Sequence, residues 1–139
     1  MNSTDLDLDF SNKLHKVLMI EDNHDIRNLM EDLVTILGFD TRAASDGIQG
    51  IELARRYKPN VIICDIGLPD MNGYEVARLI RHDSNLKNTY LIAMSGYGCS
   101  DDIEKSIAAG FDQHLVNPVE LSTLDQLLNQ AVRELDSSS

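Results

Sequence analysis

The hydrophobic positions of this chain alternate between short continuous runs and longer segments in which apolar residues recur every three or four places. Val17-Leu18-Met19-Ile20 is a run of four, the pattern of a strand covered on both faces, and it stops at Glu21-Asp22. Ile26, Leu29, Met30, Leu33, Val34 and Leu37 follow at helical spacing, and Gly38 stands where a helix-ending glycine belongs. The unit then repeats. Phe39 to Ala44 reads as a weaker strand, Ile48, Ile51, Leu53 and Ala54 mark a second helix, and Pro59-Asn60 interrupts the chain before Val61-Ile62-Ile63-Cys64 and Asp65. A loop with Gly67, Pro69 and Gly73 leads to a helix carrying Tyr74, Val76, Ala77, Leu79 and Ile80, and then to a strand from Tyr90 to Met94 that ends at Ser95. Beyond Gly96 and Gly98, a short helix with Ile103, Ile107 and Ala108 stops at Gly110. A fifth strand, His114-Leu115-Val116, ends at Asn117-Pro118, and the last helix carries Leu121, Leu124, Leu127, Leu128, Val132 and Leu135.

Five strands alternating with five helices specify an α/β fold, a parallel sheet with helices on both faces, because right-handed crossovers leave no other compact arrangement. In such a sheet every strand points the same way, so chemistry gathers at the rim formed by their carboxyl ends. Glu21, Asp22, Asp65, Ser95 and Asn117 all end strands, and the architecture brings them to that one rim. A length of 139 residues fits one domain. Residues 1–14 read as a flexible acidic arm, although Leu6, Leu8 and Phe10 alternate with Asp in a way that also fits a short strand. The domain itself is expected over 15–136, followed by a polar tail at 137–139.

Charge narrows the possible partners. With 12 Lys+Arg against 23 Asp+Glu the formal net charge is -11, and without a basic run such a surface disfavours direct nucleic-acid binding. No apolar stretch approaches the roughly 18 to 20 residues of a membrane span, and the N-terminus is acidic where a signal peptide is basic and then apolar, so a cytoplasmic protein is expected. Cys64 and Cys99 read as free thiols, the first in the core and the second at a surface or helix start. His15, His24 and His82 lack metal-binding spacing and read as surface residues. At the rim, three carboxylates within a few ångströms persist only where a proton or a cation compensates them, and oxygen donors of this hardness suit Mg²⁺. Glu21-Asp22 alone also reads as a solvated acidic start to the first helix, favoured by the helix dipole. Asp65, held by a buried strand and opening a loop with Gly and Pro, shifts the reading toward a divalent-cation site.

Met19 to Asn23, Cys64 to Glu75, Ala93 to Gly96 and Ala109 to Pro118 resemble, in order and spacing, the motifs of two-component receiver domains, over about residues 16 to 135. The Ala109 to Pro118 stretch most resembles receivers of hybrid histidine kinases. The resemblance implies a flavodoxin-like receiver fold with strand order 2-1-3-4-5. It also implies a phosphoacceptor, rather than an enzyme in the usual sense, that assists its own phosphorylation and dephosphorylation. Asp65 would take a phosphoryl group from the phosphohistidine of a histidine kinase or phosphotransfer domain. Asp22 and Asp65 would bind Mg²⁺ directly, Glu21 largely through water, and Gly67 through its backbone carbonyl. Ser95 matches the hydroxyl residue that hydrogen-bonds the phosphoryl group, and His114 the aromatic switch position. A downstream protein partner is expected on the face built by the fourth helix, fifth strand and fifth helix.

One position departs from the pattern. The family places a Lys before the proline that follows the fifth strand, and this chain has Asn117, shorter and uncharged, able at best to donate a neutral hydrogen bond. That departure keeps open a pseudo-receiver that binds partners without phosphorylation, whereas the intact Glu21, Asp22 and Asp65 argue for a phosphoacceptor. Two enzyme readings fit less well. A flavodoxin needs a hydroxyl- and Gly-rich loop where this chain has Glu21-Asp22-Asn23-His24, and a haloacid-dehalogenase-type phosphatase needs a second Asp where Gly67 stands. Tyr97 borders the same rim, where limiting water access and simple packing fit equally well. No DNA-binding or catalytic output domain fits in the residues left over, so a stand-alone docking protein and one domain of a longer chain are both expected possibilities.

Overall fold

The computed structural model describes residues 15–96 and 100–137. The arm at 1–14, Tyr97, Gly98, Cys99 and the last two residues of the tail lie outside the described residues. The elements are β1 (Lys16–Ile20), α1 (His24–Ile36), β2 (Asp40–Ala44), α2 (Gly47–Tyr57), β3 (Val61–Asp65), α3 (Gly73–His82), β4 (Tyr90–Ser95), α4 (Ser100–Ala109), β5 (Gln113–Val116) and α5 (Leu121–Ser137). All neighbouring strands pair in parallel and the sheet order is β2-β1-β3-β4-β5. The five-stranded parallel sheet expected from the alternation is therefore the observed one.

The continuous apolar runs of β1, β3 and β4 are buried on both faces, as a sheet between two helical layers requires. Alternate side chains divide the core. Leu18, Ile20, Ile62, Cys64, Leu91 and Ala93 pack toward α2 and α3, while Val17, Met19, Val61, Ile63, Ile92 and Met94 pack toward α1 and α5. Three helices start at side-chain caps: Asn23, Asp46 and Asn72 each accept a hydrogen bond from the backbone N–H three residues on, at 2.8–3.0 Å. Gly38 and Gly110 follow helices with φ of 97° and 114°, the left-handed conformation that ends a helix at little cost only for glycine.

Three readings change. α3 begins at Gly73, which had been placed in the loop, and this residue sits so close to the end of β3 that an added Cβ would lie 2.8 Å from the Asp65 carbonyl oxygen. The face of α4 is also different. Ile103 and Ile107 are apolar positions that mark this helix in the sequence, but they are 39% and 65% exposed, and the residues turned to the core are Ser106 and Ala109. The first pair lies four apart and the second three, both helical spacings, so spacing alone could not choose between the faces. His15, read as a surface residue, is half-buried, and its ring lies 3.7 Å from Asp136.

At the end of the sheet away from the strand-end carboxylates, Arg81 on α3 ties two connections together. Its guanidinium donates to the carbonyls of Gly110, Lys87 and Thr89 at 2.9, 2.9 and 2.6 Å and to Asp112 at 2.8 Å. Asp112 in turn accepts the N–H of Leu91, the second residue of β4. Removing the fork leaves several partly buried acceptors without a donor, so Arg81→Ala should lower unfolding free energy in urea by about 2–4 kcal/mol. Arg81→Lys, which keeps the charge but cannot span four acceptors, should recover less than half of that loss.

Candidate functional site

The register brings the rim together. Ile20 pairs with Cys64, so Glu21 and Asp65, one step further along, sit side by side, and Asp65 pairs with Met94 just before Ser95. Carboxylate oxygens of Glu21, Asp22 and Asp65 all lie within 4.8 Å of one another. Glu21 is buried, Asp22 exposed and Asp65 half-buried. Charges at such spacing repel by about 4 kcal/mol per pair at an effective dielectric near 20. The surroundings answer this only in part. Asn23 N–H donates to Glu21 Oε2 at 2.9 Å and Gly67 N–H to Asp65 Oδ1 at 3.1 Å. Arg27 turns its guanidinium to the main-chain carbonyls of Glu21 and Asp22, at 2.9 and 3.3 Å.

The proton affinities record the strain. Burial first, then the charges of Asp65 and Asp22, push the Glu21 carboxyl up to about 7, against the Asn23 hydrogen bond that lowers it. Asp65 is raised too, first by burial and then by Asp22, while the hydrogen bonds from Gly67 and with Glu21 oppose the shift. Three converging carboxylates, two of them reluctant to ionise, are the donor set a hard divalent cation fits. The residues present therefore suit Mg²⁺.

The loop beyond Asp65 is fixed from both ends. Ile66 N–H donates to the Met94 carbonyl at 3.0 Å and Gly73 N–H to the Ile66 carbonyl at 2.8 Å. Asp70, which the sequence reading passed over, accepts the N–H groups of Gly47 and Ile48 at 2.9 Å each and thereby bolts this loop to the first turn of α2. These hydrogen bonds hold its carboxyl below the usual carboxylate range, although its limited burial opposes them. Only its position in a Pro-Asp turn hinted at the role, and the partner twenty-odd residues upstream was invisible. Arg27, one turn into α1, was also missed.

Ser95 and His114 are brought together, with Ser95 Oγ 2.8 Å from His114 Nε2, and the other ring nitrogen lies 3.3 Å from Oγ of buried Ser106 on α4. Ser106 went unnoticed because the hydrophobic spacing drew attention to its neighbours. Asn117 follows β5 with its N–H donated to the Ser95 carbonyl at 2.8 Å, before a cis peptide to Pro118. It lines an apolar cavity of about 280 Å³ with Ile26, Leu29, Met30, Pro118 and Val119. Gly67 is exposed at the rim. Cys64 is fully buried beside Asp65, and burial pushes its thiol far up, as a core residue requires.

A doubly wound parallel sheet whose strand ends carry a carboxylate trio and a serine defines an α/β domain with a candidate cation site at its rim. Residues 17–129 match the response regulator receiver domain family, and the chain belongs to it. It is thus a receiver domain of two-component response regulators, a family in which phosphorylation and Mg²⁺ binding in an acidic pocket are typical. Among curated relatives, it is 30% identical over 124 residues to a probable transcriptional regulator, ycf27, of Porphyridium aerugineum, covering 89% of this chain and 50% of that protein. It is 29% identical over 103 residues to the polar-differentiation response regulator DivK of Brucella anthropi, covering 74% and 84%. The chain therefore spans half the length of the first relative and most of the second. Among solved structures, the chemotaxis response regulator CheY4 of Vibrio cholerae superposes with a TM-score of 0.80 at 26% identity, covering 84% of this chain and 98% of that one. The receiver domain of a Pseudomonas aeruginosa sensor histidine kinase, solved with a magnesium ion coordinated in its active-site cleft, gives 0.79 at 28%, covering 85% and 97%. No described helix is long and apolar enough to cross a membrane.

The raised Glu21 carboxyl has a direct thermodynamic signature. A group with a pKa of 4.5 when unfolded and about 7 when folded binds its proton more tightly in the folded state. Its contribution favours folding below about pH 4.5 and is lost as pH rises through about 7. Urea titrations in the presence of a chelator should therefore show stability falling between about pH 5 and 8 by on the order of 2–3 kcal/mol. Mg²⁺ should restore the loss at pH 8, and Glu21→Gln should flatten the slope.

Proposed function

We propose that this receiver domain accepts a phosphoryl group on Asp65, from the phosphohistidine of a histidine kinase or phosphotransfer domain, and signals or relays through protein contacts. The observation that carries the reading is the trio of carboxylate oxygens within 4.8 Å around a half-buried Asp65 at the end of a rigid strand. In the transfer, an Asp65 carboxylate oxygen forms the new P–O bond as the P–N bond to the donor imidazole breaks, and the leaving nitrogen keeps the electron pair. Mg²⁺, when bound, would neutralise charge on the transferring oxygens. Asp22 and Asp65 would hold it directly, Glu21 largely through water, and Gly67 through its carbonyl. Ser95 would donate to a phosphoryl oxygen.

The receiver unit is read as residues 15–136, flanked by an acidic arm and a polar tail, with the partner face on α4, β5 and α5. The Ala109 to Pro118 stretch, together with the chain's 28% identity to a sensor-kinase receiver, supports a place among receivers joined to histidine kinases. Acetyl phosphate with Mg²⁺ should add the mass of one phosphoryl group, and Asp65→Asn should abolish the addition. Modification of the Asp65→Asn protein would remove the assignment. A wild-type protein that stays unmodified would favour a pseudo-receiver instead, the reading that Asn117 keeps open.

Asn117 generates a separate expectation. The charges that shift Glu21 and Asp65 are negative, so an ammonium at position 117 would meet a field that favours it. A charge-assisted hydrogen bond contributes about 1.5–3 kcal/mol against about 1 for a neutral one. Asn117→Lys should accordingly tighten binding of beryllofluoride with Mg²⁺, measured by titration calorimetry, by about ten-fold, while the rate of phosphorylation by acetyl phosphate changes little. Unchanged affinity would mean that another group already fills the role.

A further inference from the structure

The line Ser95, His114, Ser106 holds a proton-routing choice. A neutral imidazole carries one N–H, on Nδ1 or on Nε2, and each serine can turn its hydroxyl to suit. With the proton on Nδ1, Nε2 only accepts, and Ser95 must spend its single O–H on the 2.8 Å contact with the ring. With the proton on Nε2, the ring donates to Ser95 Oγ and frees the serine proton for another acceptor. Ser106 serves either state across its 3.3 Å contact, accepting from Nδ1–H in the first and donating to bare Nδ1 in the second. A phosphoryl group offers acceptors only, so Ser95 can engage it while keeping the ring contact only when the ring donates.

We infer that His114 is a positioning residue for Ser95, and that in the phosphorylated protein its Nε2–H donates to Ser95 Oγ and directs the serine proton to the phosphoryl oxygens. The inference rests on Asp65 being the phosphoacceptor and goes further by assigning the direction of each hydrogen bond behind it. The placement favours such control. His114 reaches Ser95 across the β4–β5 pair, its far side rests on a buried α4 serine, and both contacts use ring nitrogens that a purely aromatic side chain lacks. It matters more here because Asn117 brings no charge to the same strand end.

The test is ¹⁵N NMR of the imidazole in the protein saturated with Mg²⁺ and beryllofluoride, combined with beryllofluoride affinities of four variants. Nε2 should carry a proton in the complex. His114→Phe, which fills the ring's volume without a donor, should weaken beryllofluoride about ten-fold. His114→Gln, whose amide nitrogen reaches about as far as Nε2, should recover most of that loss. In a Ser95→Ala background, exchanging His114 for Phe should cost little more. An unprotonated Nε2 in the complex, or equal affinities for the Phe and Gln variants, would overturn the inference while leaving Asp65 as acceptor. Failure of every variant, wild type included, to take beryllofluoride or a phosphoryl group on Asp65 would instead overturn the phosphoacceptor reading and this inference with it.

Discussion

Three carboxylates held closer together than their charges tolerate are the constraint around which this molecule is organised. A flexible loop would relieve the repulsion by swinging the side chains apart. Here Glu21 and Asp65 extend strands whose preceding residues are fully buried, so moving them means moving the core. The backbone of the next loop is tied in turn to β4 through Ile66 and to α2 through Asp70. Burial that stabilises the sheet is thus the same burial that keeps the rim strained, and only a proton or a cation resolves it.

Much of this arrangement was legible in the sequence because it depends on local pattern. Four-residue apolar runs ending in Glu21 and Asp65 identified both the strands and their functional ends, and alternation with helices placed those ends on one rim. What escaped notice depends on partners remote in sequence. Asp70 looks like any turn aspartate until Gly47 is seen beside it, and Arg27 looks like a solvated helix residue until its guanidinium is found on the β1–α1 carbonyls. The face of α4 was illegible for a different reason. Its sheet-facing residues are small or polar, since one of them meets an imidazole rather than an aliphatic side chain, so hydropathy pointed the wrong way.

The rim carries three carboxylates and a strand-end serine, and the residue that follows β5 is the uncharged Asn117. Asn117 and His114 are therefore best considered together. One brings no charge to the strand end, and the other brings a ring whose proton can sit on either nitrogen. The polar contacts at this end of β5 therefore rest on hydrogen-bond direction more than on a fixed charge.

The small footprint of α4 has a mechanical consequence. Among its described residues only Ser106 and Ala109 are buried, and Ile103 and Ile107 face outward. Releasing such a helix from the sheet exposes little apolar surface, so its local opening costs far less than global unfolding, whereas β1, β3 and β4 open only when the whole domain does. α4 is thus held to the frame by little buried apolar surface, while the sheet it rests on is anchored through its whole length.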